Sequence, residues 1–209
     1  MRRLHAFVRT SLAALLLGGA ATVAQAGNQQ YEPLAASVQA ALHAAVADQA
    51  PLDPSFQRSP ERARWLAEMS QRLAKRIPDE AARSELLRAV HYEATRAGLD
   101  PQLVLGLIQV ESGFKKYALS PVGARGYMQV MPFWARLIGN QETNLFHMRT
   151  NLRFGCTILR HYLDIEKGDL FRALGRYNGS LGKAEYPNMV RAAWERNWGY
   201  PPLRLASNP

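Results

Sequence analysis

A single cysteine, Cys156, in 209 residues leaves no partner for an intramolecular disulfide, even in an oxidising compartment. It falls on the stripe Leu152, Cys156, Leu159, Leu163, spaced four, three and four. That spacing predicts a buried structural thiol rather than a nucleophile. The five histidines lack zinc-ligand spacing such as His-Glu-x-x-His, so neither a metal nor another cofactor is expected. No alternating strand pattern, internal repeat or nucleic-acid motif stands out, which excludes repeat folds and disfavours nucleic acid as a partner. No apolar run reaches the roughly 20 residues that span a bilayer. Acidic residues are absent between Glu111 and Glu142, which restricts any chemistry built on paired carboxylates there.

The first 26 residues have the makeup of a leader. Arg2, Arg3 and Arg9 form a basic start, Ser11 to Ala24 is apolar and uncharged, and Ala24-Gln25-Ala26 is a small-x-small cleavage site. We expect a secretory signal peptide over 1–26, cut after Ala26, and a periplasmic or secreted product by the general export route. No cysteine at the cut marks lipoprotein anchoring, and no stable membrane insertion is expected after cleavage. The leader holds three of the 26 basic residues and none of the 17 acidic ones, so the mature chain keeps a formal charge of +6. Basicity in an exported protein favours an acidic polymer of the cell envelope over nucleic acid.

The remainder reads as mainly helical. Residues 27–60 form an N-terminal segment and linker, with a helix from Leu34 to Asp48 and a linker at Pro51-Leu52-Asp53-Pro54. Residues 61–97 hold N-terminal helices that pack on the following domain: one from Glu61 to about Arg76, and one opened by Pro78 with Asp79 and Glu80 in its first turn. The second carries Leu86, Leu87, Val90 and Ala94 on one face and stops near Gly98. Residues 98–200 form the main domain, and 201–209 a tail. Helices are expected over Pro132 to Leu137, Asn151 to Lys167, from Asp169 into Arg176-Tyr177-Asn178-Gly179, and over about Lys183 to Arg196. A monomer is expected.

Within that domain Asp100 and Pro101 start a helix as N-cap and first-turn proline, and Gly113 stops it. The run Leu103-Val104-Leu105-Gly106-Leu107-Ile108-Gln109-Val110 ends in Glu111. Val104, Ile108 and Glu111 share a stripe, as do Leu103, Leu107 and Glu111, so the carboxyl faces the core. Burial and the negative end of the helix dipole both raise its pKa, as general acid catalysis requires.

Three blocks follow in order: Glu111-Ser112-Gly113-Phe114 with Ala118 and Ser120; Gly123-Ala124-Arg125-Gly126-Tyr127-Met128-Gln129-Val130-Met131-Pro132; and Arg176-Tyr177-Asn178-Gly179. Over about residues 98 to 196 the chain resembles the catalytic domain of the soluble lytic transglycosylases, peptidoglycan-cleaving enzymes of the lysozyme-like superfamily. The resemblance implies an all-α, lysozyme-like single catalytic domain with extra N-terminal helices. It also implies peptidoglycan glycan strands as substrate. Glu111 matches the family's acid and base, and Ser120 the serine that orients the substrate's N-acetyl group or attacking hydroxyl. Met128 and Gln129 match contact positions of the saccharide groove. Tyr177 matches a tyrosine that reaches the catalytic carboxyl or the cleaved sugar, and Asn178 an asparagine that holds the site together. Tyr127 stands where the family commonly has leucine, and Arg176 where it commonly has alanine.

Most glycosidases use two carboxylates. Glu93, Glu142 and Asp164 are other acidic residues that folding can bring near, but all three read as solvated helix or loop positions. A lone carboxyl suits substrate assistance. The muramoyl N-acetyl oxygen attacks the anomeric carbon while Glu111 protonates the leaving oxygen; Glu111 then takes the C6 hydroxyl proton as a 1,6-anhydro ring closes. The alternatives are a goose-type lysozyme-like hydrolase of the same bond, or a non-catalytic peptidoglycan-binding module.

Overall fold

The structure, a computed structural model, describes residues 29–47 and 58–200. The expected leader, the Pro51-to-Pro54 linker and the 201–209 tail lie outside the described residues. Eight α-helices account for most of the rest: α1 (Ala36–Ala47), α2 (Pro60–Leu73), α3 (Glu80–Arg96), α4 (Pro101–Ser112), α5 (Pro132–Ile138), α6 (Met148–Ile165), α7 (Leu170–Asn178) and α8 (Glu185–Ala193). A π-helical turn, Trp194–Trp198, continues from α8. The only extended pairing among the described residues is two isolated bridges, Leu119 with Arg125 and Arg125 with Val130. The fold is all-α.

Local chemistry sets these boundaries. Side chains of Ser59, Asp79, Asp100 and Asp169 accept hydrogen bonds from backbone N–H groups in the first turns of α2, α3, α4 and α7, and Pro60 and Pro101 occupy first-turn positions. Asp79 therefore sits before α3 as its cap, not within its first turn. Gly113 and Gly179 end α4 and α7 in the left-handed region, at φ 57° and 72°. α6 begins three residues before the expected Asn151, because the Asn151 amide is committed to the loop before the helix and does not cap it.

α4 is the axis of the domain. Leu103 through Ile108 are all buried, so the helix is enclosed on every side, as its unbroken apolar run requires. It packs against α3, α8 and the π turn; α3 lies on α2 and α6, α7 joins α6 to α8, and α1 rests on α5 and α6. Full burial of each large aliphatic side chain is worth about 1.5–3 kcal/mol, as an upper bound. Gly106 permits the closest approach. A Cβ there would lie 2.8 Å from the Trp194 backbone nitrogen and 2.9 Å from its Cα. Gln109 locks the same contact by accepting hydrogen bonds from the Trp198 indole at 2.9 Å and the Asn197 amide at 3.2 Å.

One acidic residue overturns its sequence reading. Glu93 is fully buried, not solvated. Arg153 binds both its oxygens, Nη2 to Oε1 at 2.8 Å and Nε to Oε2 at 3.2 Å, while Arg96 and Arg149 stand 3.8 and 3.9 Å away. The pair ties α3 to α6. Glu142 and Asp164 are exposed as expected. Cys156 is buried, and burial pushes its thiol above the ordinary range, in keeping with an inert core thiol.

Candidate active site

Glu111 occupies the last turn of α4 and is 6% exposed. Burial pushes its carboxyl up to about 8, against a smaller downward pull from a hydrogen bond with Tyr186. The Tyr186 hydroxyl donates to Glu111 Oε1. Oε2 is buried with no hydrogen-bond partner among the described residues. Oε1 accepts from that hydroxyl, which leaves Oε2 as the oxygen open to carry and transfer a proton. The Tyr186 phenol is itself pushed well above its usual range by burial and then by the Glu111 charge, so it stays a donor whichever state Glu111 adopts.

Tyr186 was not among the residues singled out from sequence. It stands in the first turn of α8, and Gly106 lets the π turn that continues that helix approach α4 closely. Tyr177 is fully buried near the same carboxyl: burial first and the Glu111 charge second raise its phenol. Its hydroxyl donates at 2.8 Å to the Met128 carbonyl, not to Glu111. Tyr177 thus holds the loop, and Tyr186 holds the acid.

The loop over residues 118–131 is fastened at several further points. Ser112, next to Glu111, directs its hydroxyl at the Tyr127 carbonyl at 2.7 Å. Gln129 adopts a left-handed φ of 47°, which costs of order 1 kcal/mol for a non-glycine residue. Its amide offsets this by donating to the Ala118 and Gly126 carbonyls at 3.1 and 3.0 Å. With 2% exposure, Gln129 is an internal brace of the loop. Met128 is fully buried over Gly155, where a Cβ would lie 2.7 Å from its own Cβ. Ser120 is half-buried and accepts from the Ala124 N–H at 3.0 Å, so its hydroxyl proton is still available to donate. Asn178 donates to Ser180 Oγ at 3.2 Å, and its own Oδ1 is buried without a partner among the described residues.

Asn151 of α6 is a second residue that sequence reading passed over. It is fully buried, accepts from the Met128 N–H at 2.8 Å, and donates to the Arg125 and Leu145 carbonyls at 2.8 and 2.9 Å. Its signal was present: Asn151, Gly155, Ile158 and Tyr162 share one helical face, so a polar side chain there must find buried partners. Among the described residues no group of three or more His, Cys, Asp or Glu is gathered as a metal site, and no helix is long and apolar enough to cross a membrane.

The arrangement is thus one buried carboxyl of raised pKa at a helix end, a tyrosine donor on it, and a braced loop beside it. The family model for the transglycosylase SLT domain matches residues 88–193, about half of the chain, and the chain belongs to that family. It is 40% identical over 88 residues to a transglycosylase of Enterobacteria phage PRD1, covering 42% of this chain and 32% of that protein. It is 45% identical over 112 residues to membrane-bound lytic murein transglycosylase C of Histophilus somni strain 2336, covering 46% and 31%. The chain spans about a third of the length of these curated relatives. An inactive mutant of the lytic transglycosylase Slt from Pseudomonas aeruginosa aligns at TM-score 0.42 and 19% identity, over 81% of this chain and 32% of that one.

Proposed function

We propose that this protein is a peptidoglycan lytic transglycosylase. It cleaves the β-1,4 bond between N-acetylmuramic acid and N-acetylglucosamine and leaves a 1,6-anhydromuramic end. The observation that carries this reading is Glu111: a buried carboxyl held at about 8, with a donor on one oxygen and the other oxygen unpartnered. A carboxyl protonated at neutral pH in this way is a general acid. Its Oε2–H protonates the glycosidic oxygen, and the muramoyl N-acetyl oxygen covers the anomeric carbon. Glu111 is then the base for the C6 hydroxyl, which closes the ring without water. Tyr186 stabilises the carboxylate between the two steps by donating to Oε1.

The other buried carboxylate supports a one-acid mechanism. Glu93 is bound on both oxygens by the Arg153 fork, which commits it to an ion pair between α3 and α6. Ser120, with a hydroxyl proton to give, and Asn178, with an unsatisfied Oδ1, are proposed as substrate contacts. Met128, Gln129 and Tyr177 are proposed to shape the groove from beneath through the braced loop. The curated relatives named as murein transglycosylases support placement on the wall-facing side of the cell membrane.

Digestion of purified sacculi followed by mass spectrometry tests the reading. Anhydromuropeptides that vanish with Glu111→Gln are the expected products. Reducing products one water heavier would identify a hydrolase, and intact sacculi with retained glycan binding would identify a non-catalytic module.

A further inference from the structure

Ahead of α1, residues 29–33 lie against the loop and α7 beside Glu111. Gln29 is 4% exposed, and its Oε1 accepts from the Met131 N–H at 3.4 Å. Its amide lies beside the Tyr177 hydroxyl, which in turn is within electrostatic reach of Glu111. Tyr31 packs edge-on against Phe133 with ring centroids 5.9 Å apart, although the residue is 59% exposed. Glu32 meets Arg176 Nη1 at 3.2 and 3.4 Å through its two oxygens. Arg176 is the residue that stands where the resembled family commonly has alanine, and it also binds Glu166 of the turn between α6 and α7.

A glutamine carboxamide presents one carbonyl acceptor and an N–H donor in a plane, the same pattern as the acetamido group of an N-acetylated sugar. Gln29 sets that pattern between a backbone N–H and a tyrosine hydroxyl, beside the acid. Its Nε2 is buried and makes no well-formed hydrogen bond among the described residues, so the slot is filled imperfectly. The remaining attachments are an exposed ion pair and a rim aromatic contact, both of the weak kind. We propose that residues 29–33 are a displaceable strap: Gln29 fills an acetamido slot of the groove in the substrate-free protein, Arg176 tethers the strap through Glu32, and glycan must displace it to bind. This rests on the glycan-cleaving reading above. It differs from a fixed groove wall, which would add contacts to the sugar.

The test is the affinity of tetra-N-acetylchitotetraose for the Glu111→Gln protein, with and without the substitutions Gln29→Gly, Tyr31→Ala and Glu32→Ala together. Binding needs no turnover, so the outcome does not depend on whether sacculi are cleaved. If the strap is closed about nine-tenths of the time, its loss tightens apparent binding about tenfold. On sacculi the same triple variant, with Glu111 intact, lowers KM and leaves kcat unchanged. Unchanged affinity, weaker binding or no binding in either form overturns the proposal. A measurement that leaves the strap intact guards against misfolding. In the Glu111→Gln protein the Tyr31 ring resonances, shifted by Phe133, move toward solvent-exposed values when the tetrasaccharide is added, and a spectrum that does not move also overturns it.

Discussion

Glu93 and Glu111 are both taken out of water, at 0% and 6% exposure, and the protein surrounds them in opposite ways. Glu93 meets the fork of Arg153 on both oxygens, with two further arginines within 4 Å. Each of its oxygens accepts from a cation, so it is a fastener between two helices. Among the described residues Glu111 receives one neutral hydroxyl and no cation, and burial raises its carboxyl to about 8. The difference lies in the partner, not in the depth. A buried carboxylate given an arginine is structural, and one given a phenol is poised to move a proton.

The largest expected effect comes from removing the poised group. Glu111→Gln should reduce anhydromuropeptide release by at least the roughly 10²–10⁴-fold ascribed to general acid catalysis, and further because the proposed mechanism uses the same residue as its base. The fold should gain stability. With a folded pKa raised above the unfolded one, the contribution of Glu111 to stability is fully present below about 4.5 and is lost as pH rises through about 8. At pH 7 the wild type therefore forgoes about 3 kcal/mol that the glutamine variant does not. Thermal melts of the two proteins should coincide near pH 4 and separate toward pH 8, with the variant melting higher.

The reciprocal experiment breaks the fastener. Arg153→Ala leaves Glu93 buried without its main partner, and should cost about 3–5 kcal/mol in urea or thermal unfolding. Replacing Glu93 and Arg153 together by leucines should recover most of that loss. Cleavage by whatever fraction stays folded should be near normal. A Glu93 with a catalytic role would instead leave the double variant folded and inactive.

Smaller effects sharpen the contrast. Tyr186→Phe removes the one bond that lowers the Glu111 pKa, so the alkaline limb of kcat/KM should move upward while kcat falls by about one to two orders of magnitude through lost positioning. Gly106→Ala forces a Cβ to within 2.9 Å of the Trp194 backbone and should cost about 1–3 kcal/mol. Because α8 carries Tyr186, the same change should lower kcat more than KM.

The two glutamates also mark what could be read from the chain alone. α4 was legible to its last residue because its signals are local: an Asp-Pro start, an unbroken apolar run and a Gly stop. The burial of Glu111 followed from that register. Glu93 follows Val90 by three and so shares its buried face, but the arginine that justifies its burial lies sixty residues on, beyond any local pattern. Tyr186 was missed for the same reason, since its value depends on Gly106 admitting the π turn beside α4. Tyr177 was singled out from its Tyr-Asn-Gly block, yet its bond to the Met128 carbonyl is a tertiary fact that spacing does not reveal.

A direct titration of Glu111 by carbon NMR of its side-chain carboxyl, assigned by loss of the signal in Glu111→Gln, addresses the central claim most plainly. A midpoint near 8 is the predicted result. A midpoint in the ordinary glutamate range of about 4–5 would contradict it, because the group would then be ionised and unable to act as the acid at neutral pH.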